Sequence, residues 1–199
     1  MYRGSNPRIL PVFIIIVVVA LVIAALVTVG RMVFSGGSGD QPAAPKDTVS
    51  SAVLETDLSR SVRWTVRGPI VASENFRSYQ ITVSANTRTY VVYSGYLDQA
   101  TETKTYDNSP AAYEQFVYAL NLANIGDANK AADTDIRGVC ATDGLAFTFE
   151  TLKDGNPDNT LWSSTCKDSK GTMAADALQI QALFTNQIPD FKPLFSQVY

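Results

Sequence analysis

From Val12 to Val29 the chain runs for 18 residues without a charge, and Thr28 is the only polar side chain in that run. Extended to Ile9 and Gly30, the segment reaches the roughly 20 residues needed to cross a hydrocarbon core ~30 Å thick. In hydrocarbon an open segment must satisfy its own backbone, and a helix does so internally. Residues 9–30 are therefore expected to form one transmembrane helix, with the lipid bilayer as its partner. Arg3, Arg8 and the α-amino group precede the span, and only Arg31 follows it closely. This asymmetry places the short tail, residues 1–8, in the cytoplasm and the C-terminal part outside the cell membrane. The run exceeds the about 7–15 apolar residues of a cleavable signal peptide, and no clean A-x-A follows it. It reads as an uncleaved signal-anchor.

Residues 31–47 contain the stretch SGGSGDQPAAPKD, too polar and too rich in Gly, Ser and Pro to build a core. They are expected to tether a folded extracytoplasmic domain, residues 48–199. That domain holds both cysteines, Cys140 and Cys166. An even cysteine count in an oxidising compartment points to one disulfide. Without a CxxC motif its expected role is structural, a staple contributing about 3–4 kcal/mol in the chain-entropy picture.

The residue types present narrow the chemistry. The sequence has no histidine. This removes Ser-His-Asp and Cys-His nucleophile activation, the HExxH zinc site and most catalytic zinc shells. A formal net charge of -3 argues against a strongly basic nucleic-acid binder. No cofactor, metal or nucleic-acid partner is expected, and the chain is read as a non-enzyme.

Periodicity outlines the domain. Asp47 could cap a short helix running to about Asp57. Val62, Trp64 and Val66 alternate with Arg63, Thr65 and Arg67, the period of a half-buried strand, which Gly68-Pro69 ends. Tyr79, Ile81 and Val83 mark a second strand, Ala85-Asn86-Thr87 a turn, and Thr89–Tyr93 a third strand closed by Gly95. Ser109-Pro110 is a helix start, followed by Tyr113, Phe116, Val117 and Leu120 on one face, with Gly126 past the end. Leu145, Phe147 and Phe149 alternate in a further strand. A turn-rich stretch, Asp154–Asn159, leads to a return strand from Leu161-Trp162 to Cys166. A last helix is expected over Met173–Ile188, with Ile180, Leu183, Phe184 and Ile188 inward and Pro189 as its stop. The class is α+β: an antiparallel sheet with helices on one face, arranged as two strand-strand-helix halves, after one N-terminal transmembrane helix.

Charge is unevenly distributed within the domain. Residues 60–88 carry five arginines, Arg60, Arg63, Arg67, Arg77 and Arg88, against Glu74 alone, a net +4. Residues 89–199 carry seven basic and fourteen acidic side chains, a net -7. Two readings of the arginines stand side by side. One is a surface that binds an anionic wall polymer, a lipid headgroup or an acidic protein, carried by Arg63, Arg67 and Arg88 with Tyr93. The other is a set of charges that pair with the domain's own carboxylates. Tyr96 and Tyr106 sit near Tyr93 in sequence and could join such a patch.

Other strings carry less. Asp154-x-Asn156-x-Asp158 has the spacing that opens a Ca²⁺ loop, but Asn159 and Thr165 stand where Gly and Glu are needed. The acids Asp127, Asp133, Asp135 and Asp143 read as loop solvation. Ser164-Thr165-Cys166-Lys167 matches S-x-x-K only by letter, since it ends a strand. A glycan hydrolase built on two carboxylates remains the enzymatic alternative, and an accessory subunit of a membrane complex a third reading.

Several segments carry a resemblance: Val66-Arg67-Gly68-Pro69-Ile70, Phe76 to Val83, Ala112 to Leu120, Cys140-Ala141-Thr142, and Leu161 to Cys166. Together they are similar to uncharacterised, signal-anchored envelope proteins of ultrasmall host-attached bacteria, over about residues 60–190. The resemblance implies a location in the cell envelope, with no activity and no catalytic residue attached. The resulting expectation is a membrane-anchored, non-catalytic envelope module for binding or structure.

Overall fold

The computed structural model describes residues 48–129, 135–166 and 171–194. The expected span (residues 9–30), its tail, the tether and the proposed cap Asp47 lie outside these residues. Among the described residues no helix is long and apolar enough to cross a membrane.

The elements are α1 (Thr48–Val53), β1 (Arg60–Arg67), β2 (Arg77–Ser84), β3 (Thr87–Ser94), β4 (Gln99–Asp107), α2 (Pro110–Leu122), β5 (Ala146–Lys153), β6 (Asn156–Ser164) and α3 (Ala177–Thr185). The strands form one six-stranded antiparallel sheet in the order β4-β3-β2-β1-β5-β6. A meander of four strands comes first, and α2 then carries the chain back so that β5 pairs with the free edge of β1. The class is α+β as expected. The two strand-strand-helix halves become four strands and a helix, then two strands and a helix, sharing one sheet.

The added strand is β4, which the apolar pattern does not mark. Its sequence, QATETKTYD, has no apolar alternation, and all its residues but Tyr106 are exposed. An edge strand beyond the reach of the helices needs no buried face, so it leaves no apolar stripe to detect.

The helices cover one face of the sheet. Trp64 is fully buried and stacks on Phe147 and Phe184 at ring-centroid distances of 5.4 and 5.8 Å. Phe184 from α3 also meets Phe116 from α2 edge-on at 5.1 Å. Tyr113, Phe116, Val117 and Leu120 are the buried residues of α2, the stripe read from spacing. Helical periodicity thus becomes a contact surface for the even-numbered residues of β1 and β2's Tyr79, Ile81 and Val83.

Local chemistry sets the helix ends. Ser109 Oγ accepts from Ala112 N–H at 3.3 Å, with Pro110 next in line, so the N-terminus of α2 is capped as read. The C-terminus is closed by Asn124 in the left-handed region (φ 59°), not by Gly126. Asn124 N–H donates to Asn121 O and Ile125 N–H to Leu120 O, a Schellman arrangement. Gly126 serves a close approach instead. A Cβ there would lie 1.8 Å from Ser50 Oγ, so the α1 backbone packs directly on it. The last helix begins later than its stripe. Asp176 caps α3 through Leu178 N–H and Gln179 N–H, whereas Met173 N–H donates to Trp162 O and Ala174 N–H to Asp127 O. Residues before Asp176 are thus held in extended contact with β6 and the chain after α2.

The turn-rich stretch Asp154–Asn159 is mostly strand. Asp154 and Gly155 alone make the turn, with φ of 51° and 79°, the mirror-image turn geometry that suits tight hairpins. β6 already begins at Asn156. Pro157 is accommodated because β6 is an edge strand, beside a register shift at Thr151/Leu152.

Cys140 and Cys166 form the disulfide, with Cα atoms 5.5 Å apart and a sequence separation of 26. The bond ties the loop before β5 to the chain just after β6, across the open end of that hairpin. Gly144 (φ 83°) passes so near that a Cβ would lie 2.6 Å from Cys166 Sγ. Replacing both cysteines by serine will lower unfolding free energy by about 2–4 kcal/mol. Denaturant titration with and without reductant checks this: reductant should destabilise the native chain by the same amount and leave the double variant unchanged.

Candidate functional site

Among the described residues, no helix packs on the second face of the sheet. Strand pairing sorts its side chains into rows across the strands. One row joins Gln80, Thr65 and Thr148, because Gln80 pairs with Thr65 and Thr65 with Thr148. The next joins Tyr93, Ser78, Arg67 and Ala146, and the row on the other side holds Thr82, Arg63 and Glu150. Each of these residues alternates with a core residue, so its outward direction follows from the same period of two that buries its neighbours.

Between the rows lies an open depression of about 270 Å³, lined by Thr65, Arg67, Ser78, Gln80, Tyr93, Asp98, Thr148 and Glu150. Tyr93 Oη donates to Gln80 Oε1 at 3.5 Å, a long contact, and Gln80 Nε2 donates to Thr65 Oγ1 at 3.3 Å. This relay runs from β3 through β2 to β1 and orients the amide. Tyr93 is half-buried, and burial, with Asp98 nearby, raises its phenol above the ordinary tyrosine value.

The two acids in the depression both face arginines. Arg63 Nε donates to Glu150 Oε2 at 2.6 Å, and both side chains are largely shielded. Arg67 lies 3.8 Å from Asp98, with its guanidinium carbon 5.3 Å from the centre of the Phe76 ring. Arg67 remains 37% exposed and donates no hydrogen bond among the described residues, so it keeps N–H donors for a ligand.

The structure brings three of the four expected binding residues to this face, Arg63, Arg67 and Tyr93. It places Arg88 on the other. Arg88 shares its parity with the buried Tyr90 and Val92, and it donates to Asp107 O and to Gln187 O just beyond α3. Tyr106 is the cross-strand partner of Arg88 and donates to Pro189 O at 3.3 Å, so it too belongs to the helix side. Tyr96 stacks on Phe76 at 4.2 Å and donates to Val71 O, which pins the loop between β1 and β2.

Arg60 and Arg77 are likewise engaged. Arg60 is 7% exposed, on the helix side, and pairs with both Glu55 and Asp158. The Asp158 hydrogen bond, opposed by burial and helped by Glu55, raises the Arg60 pKa. Burial pushes the Asp158 carboxyl up, but bonds from Thr151 and Arg60 outweigh it and hold Asp158 below the ordinary value. Arg77 donates to the carbonyls of Glu74 and Phe76.

The calcium-like string therefore does not converge: Asp154 turns the hairpin, while Asp158 is taken by Arg60 and Thr151. Among the described residues no group of three or more His, Cys, Asp or Glu side chains could hold a metal ion. Asp135 is exposed and paired with Arg137, whose hydrogen bonds hold its carboxyl at about 2. Ser164 accepts from Cys166 N–H at a strand end, and Lys167 lies outside the described residues.

Thr65, Ser78, Gln80, Asp98 and Thr148 were not singled out by motif or charge. The signal for four of them was the polar half of the strand alternation; Asp98, in a turn, had none. No protein-family model matches the chain, and no similar curated protein is found.

Proposed function

We propose that the domain is a non-catalytic binding module of the cell envelope, held outside the membrane by residues 9–30, and that it binds through the uncovered face of the sheet. One observation carries this reading: the depression lined by Thr65, Arg67, Gln80, Tyr93 and Thr148 lies on the face that no helix covers among the described residues. Hydroxyl and amide groups along its floor suit a polymer rich in hydroxyls. Arg67, half-exposed and only loosely paired, suits a phosphate or carboxylate on that polymer. An anionic wall polymer combines both features. The carboxylate-hydrolase alternative is less well supported, because Glu150 is committed to Arg63 and Asp98 faces Arg67. A general acid or base must instead be free to exchange its proton with substrate.

The test uses the full-length protein in detergent micelles and purified wall glycan with and without anionic substituents. Arg67→Glu and Tyr93→Ala should each weaken binding to the anionic glycan about tenfold or more. Arg88→Glu, on the helix side, should leave it nearly unchanged. Equal binding by Arg67→Glu and native protein, or no binding by the native protein, overturns the proposal.

A further inference from the structure

The two edges of the sheet differ. On β6, Pro157 lacks an N–H, and the outer backbone at Trp162 is already occupied: Trp162 N–H donates to Thr172 Oγ1 and Met173 N–H donates to Trp162 O. On β4 there is no proline or glycine, and among the described residues its strand pairing is to β3 alone and its outer backbone row takes part in no other backbone hydrogen bond. A strand of that length with a free backbone row is a template for another strand.

We propose that β4 is a self-pairing edge, and that two copies of this chain join antiparallel through it with Thr103 on the two-fold axis. When a strand pairs antiparallel with its own copy, the alternation of backbone donors requires residues of equal parity to face each other, so one residue lies on the axis. Charge then selects the register. Lys104 and Glu102 already pair within the strand, Nζ to Oε1 at 2.7 Å, and both side chains are 43–47% exposed. With Thr103 on the axis, Glu102 faces the partner's Lys104 and Lys104 faces the partner's Glu102. Four charges then alternate in sign, and Thr103 faces its own copy across the axis. With Lys104 on the axis, two ammonium groups meet. With Thr105 on the axis, Lys104 meets Tyr106 and no charges are matched. Opposite charges and Thr–Thr pairs are the favourable cross-strand combinations, so one register collects both. The register shift between Val92 and Tyr93 makes Thr101 the extra residue of β4 and limits the shared ladder to a short central run. An axis perpendicular to the sheet joins the two sheets edge to edge, with both open faces on the same side.

The test uses the full-length chain in bacterial membranes. Thr103→Cys sits on the axis, where paired Cα atoms are about 4.5–5.5 Å apart, within disulfide range. It should yield about tenfold more crosslinked dimer than Thr160→Cys on β6. Adding Lys104→Glu should remove the dimer, and the exchange Glu102→Lys with Lys104→Glu should restore it. Light-scattering mass of the chain without added cysteine, native against Lys104→Glu, gives a second readout free of thiol chemistry. A monomeric native chain, or equal crosslinking in the Lys104→Glu and exchanged variants, would mean the charges only guard the edge and overturns the proposal.

Discussion

Trp64→Ala will cost about 3–5 kcal/mol of unfolding free energy, the range for emptying a large aromatic from a packed core. Trp64 is fully buried at the centre of β1, an interior strand paired with β2 on one side and β5 on the other, and its ring lies against Phe147 and Phe184. Phe184 in turn contacts Phe116 and Phe149. Removing the indole therefore opens a cavity where both long helices meet the sheet. A domain of this size has about 5–15 kcal/mol in total, so the variant will be near or below the stability it needs. Urea unfolding followed by circular dichroism measures the loss. Trp64→Phe should cost clearly less, since it keeps the ring stacking and removes an indole N–H that has no acceptor among the described residues. A loss below about 1 kcal/mol for Trp64→Ala would mean that the site collapses around the change.

Among single substitutions, Arg60→Ala is expected to be the second most damaging, at about 2–3 kcal/mol. Breaking a buried pair leaves a charge without its partner and costs about 3–5 kcal/mol. Here Asp158 is one-third exposed and Glu55 about half, so water recovers part of that. The arginine spans otherwise separate pieces, the segment after α1 through Glu55 and the edge strand β6 through Asp158. The same group predicts a pH dependence. Asp158 has its folded pKa held below its unfolded value by Thr151 and Arg60. Its contribution is therefore fully present above the unfolded value, about 3.9, and is lost as pH falls through the folded value. Asp158→Asn should flatten the acid limb of the stability profile below about pH 4, where the unfolded carboxyl takes up its proton before the folded one does. An unchanged slope there would show that other carboxylates dominate acid unfolding.

Much of the fold was legible because the relevant interactions are local. Val62, Trp64 and Val66 are buried as their alternation implies, and Ser109-Pro110 starts a helix whose buried face is the one its spacing defines. Misreadings arose where a distant segment competes for a backbone group. Met173 lies on the apolar stripe of the last helix, yet Trp162 takes its N–H and delays the helix to Asp176. Pro157 and Asn156 look like turn residues, yet they sit in a strand because an edge tolerates them. Among the arginines, closeness in sequence was a poor guide and parity a better one. Arg60 shares its parity with Val62, and Arg88 with Tyr90, and both lie on the helix side.

From the sequence alone came the exclusion of imidazole chemistry, the strand and helix faces, the α2 cap and the pairing of the two cysteines. These depend on residue type or on neighbours within a few positions. The candidate site depended on something else. Thr65, Gln80, Tyr93 and Thr148 share one depression only because β2 and β5 both pair with β1 in a particular register. β5 lies far from β1 and β2 in the chain, and a slip of one residue would turn each polar row into the core. The alternation shows which side chains face outward; only long-range strand pairing decides which of them meet.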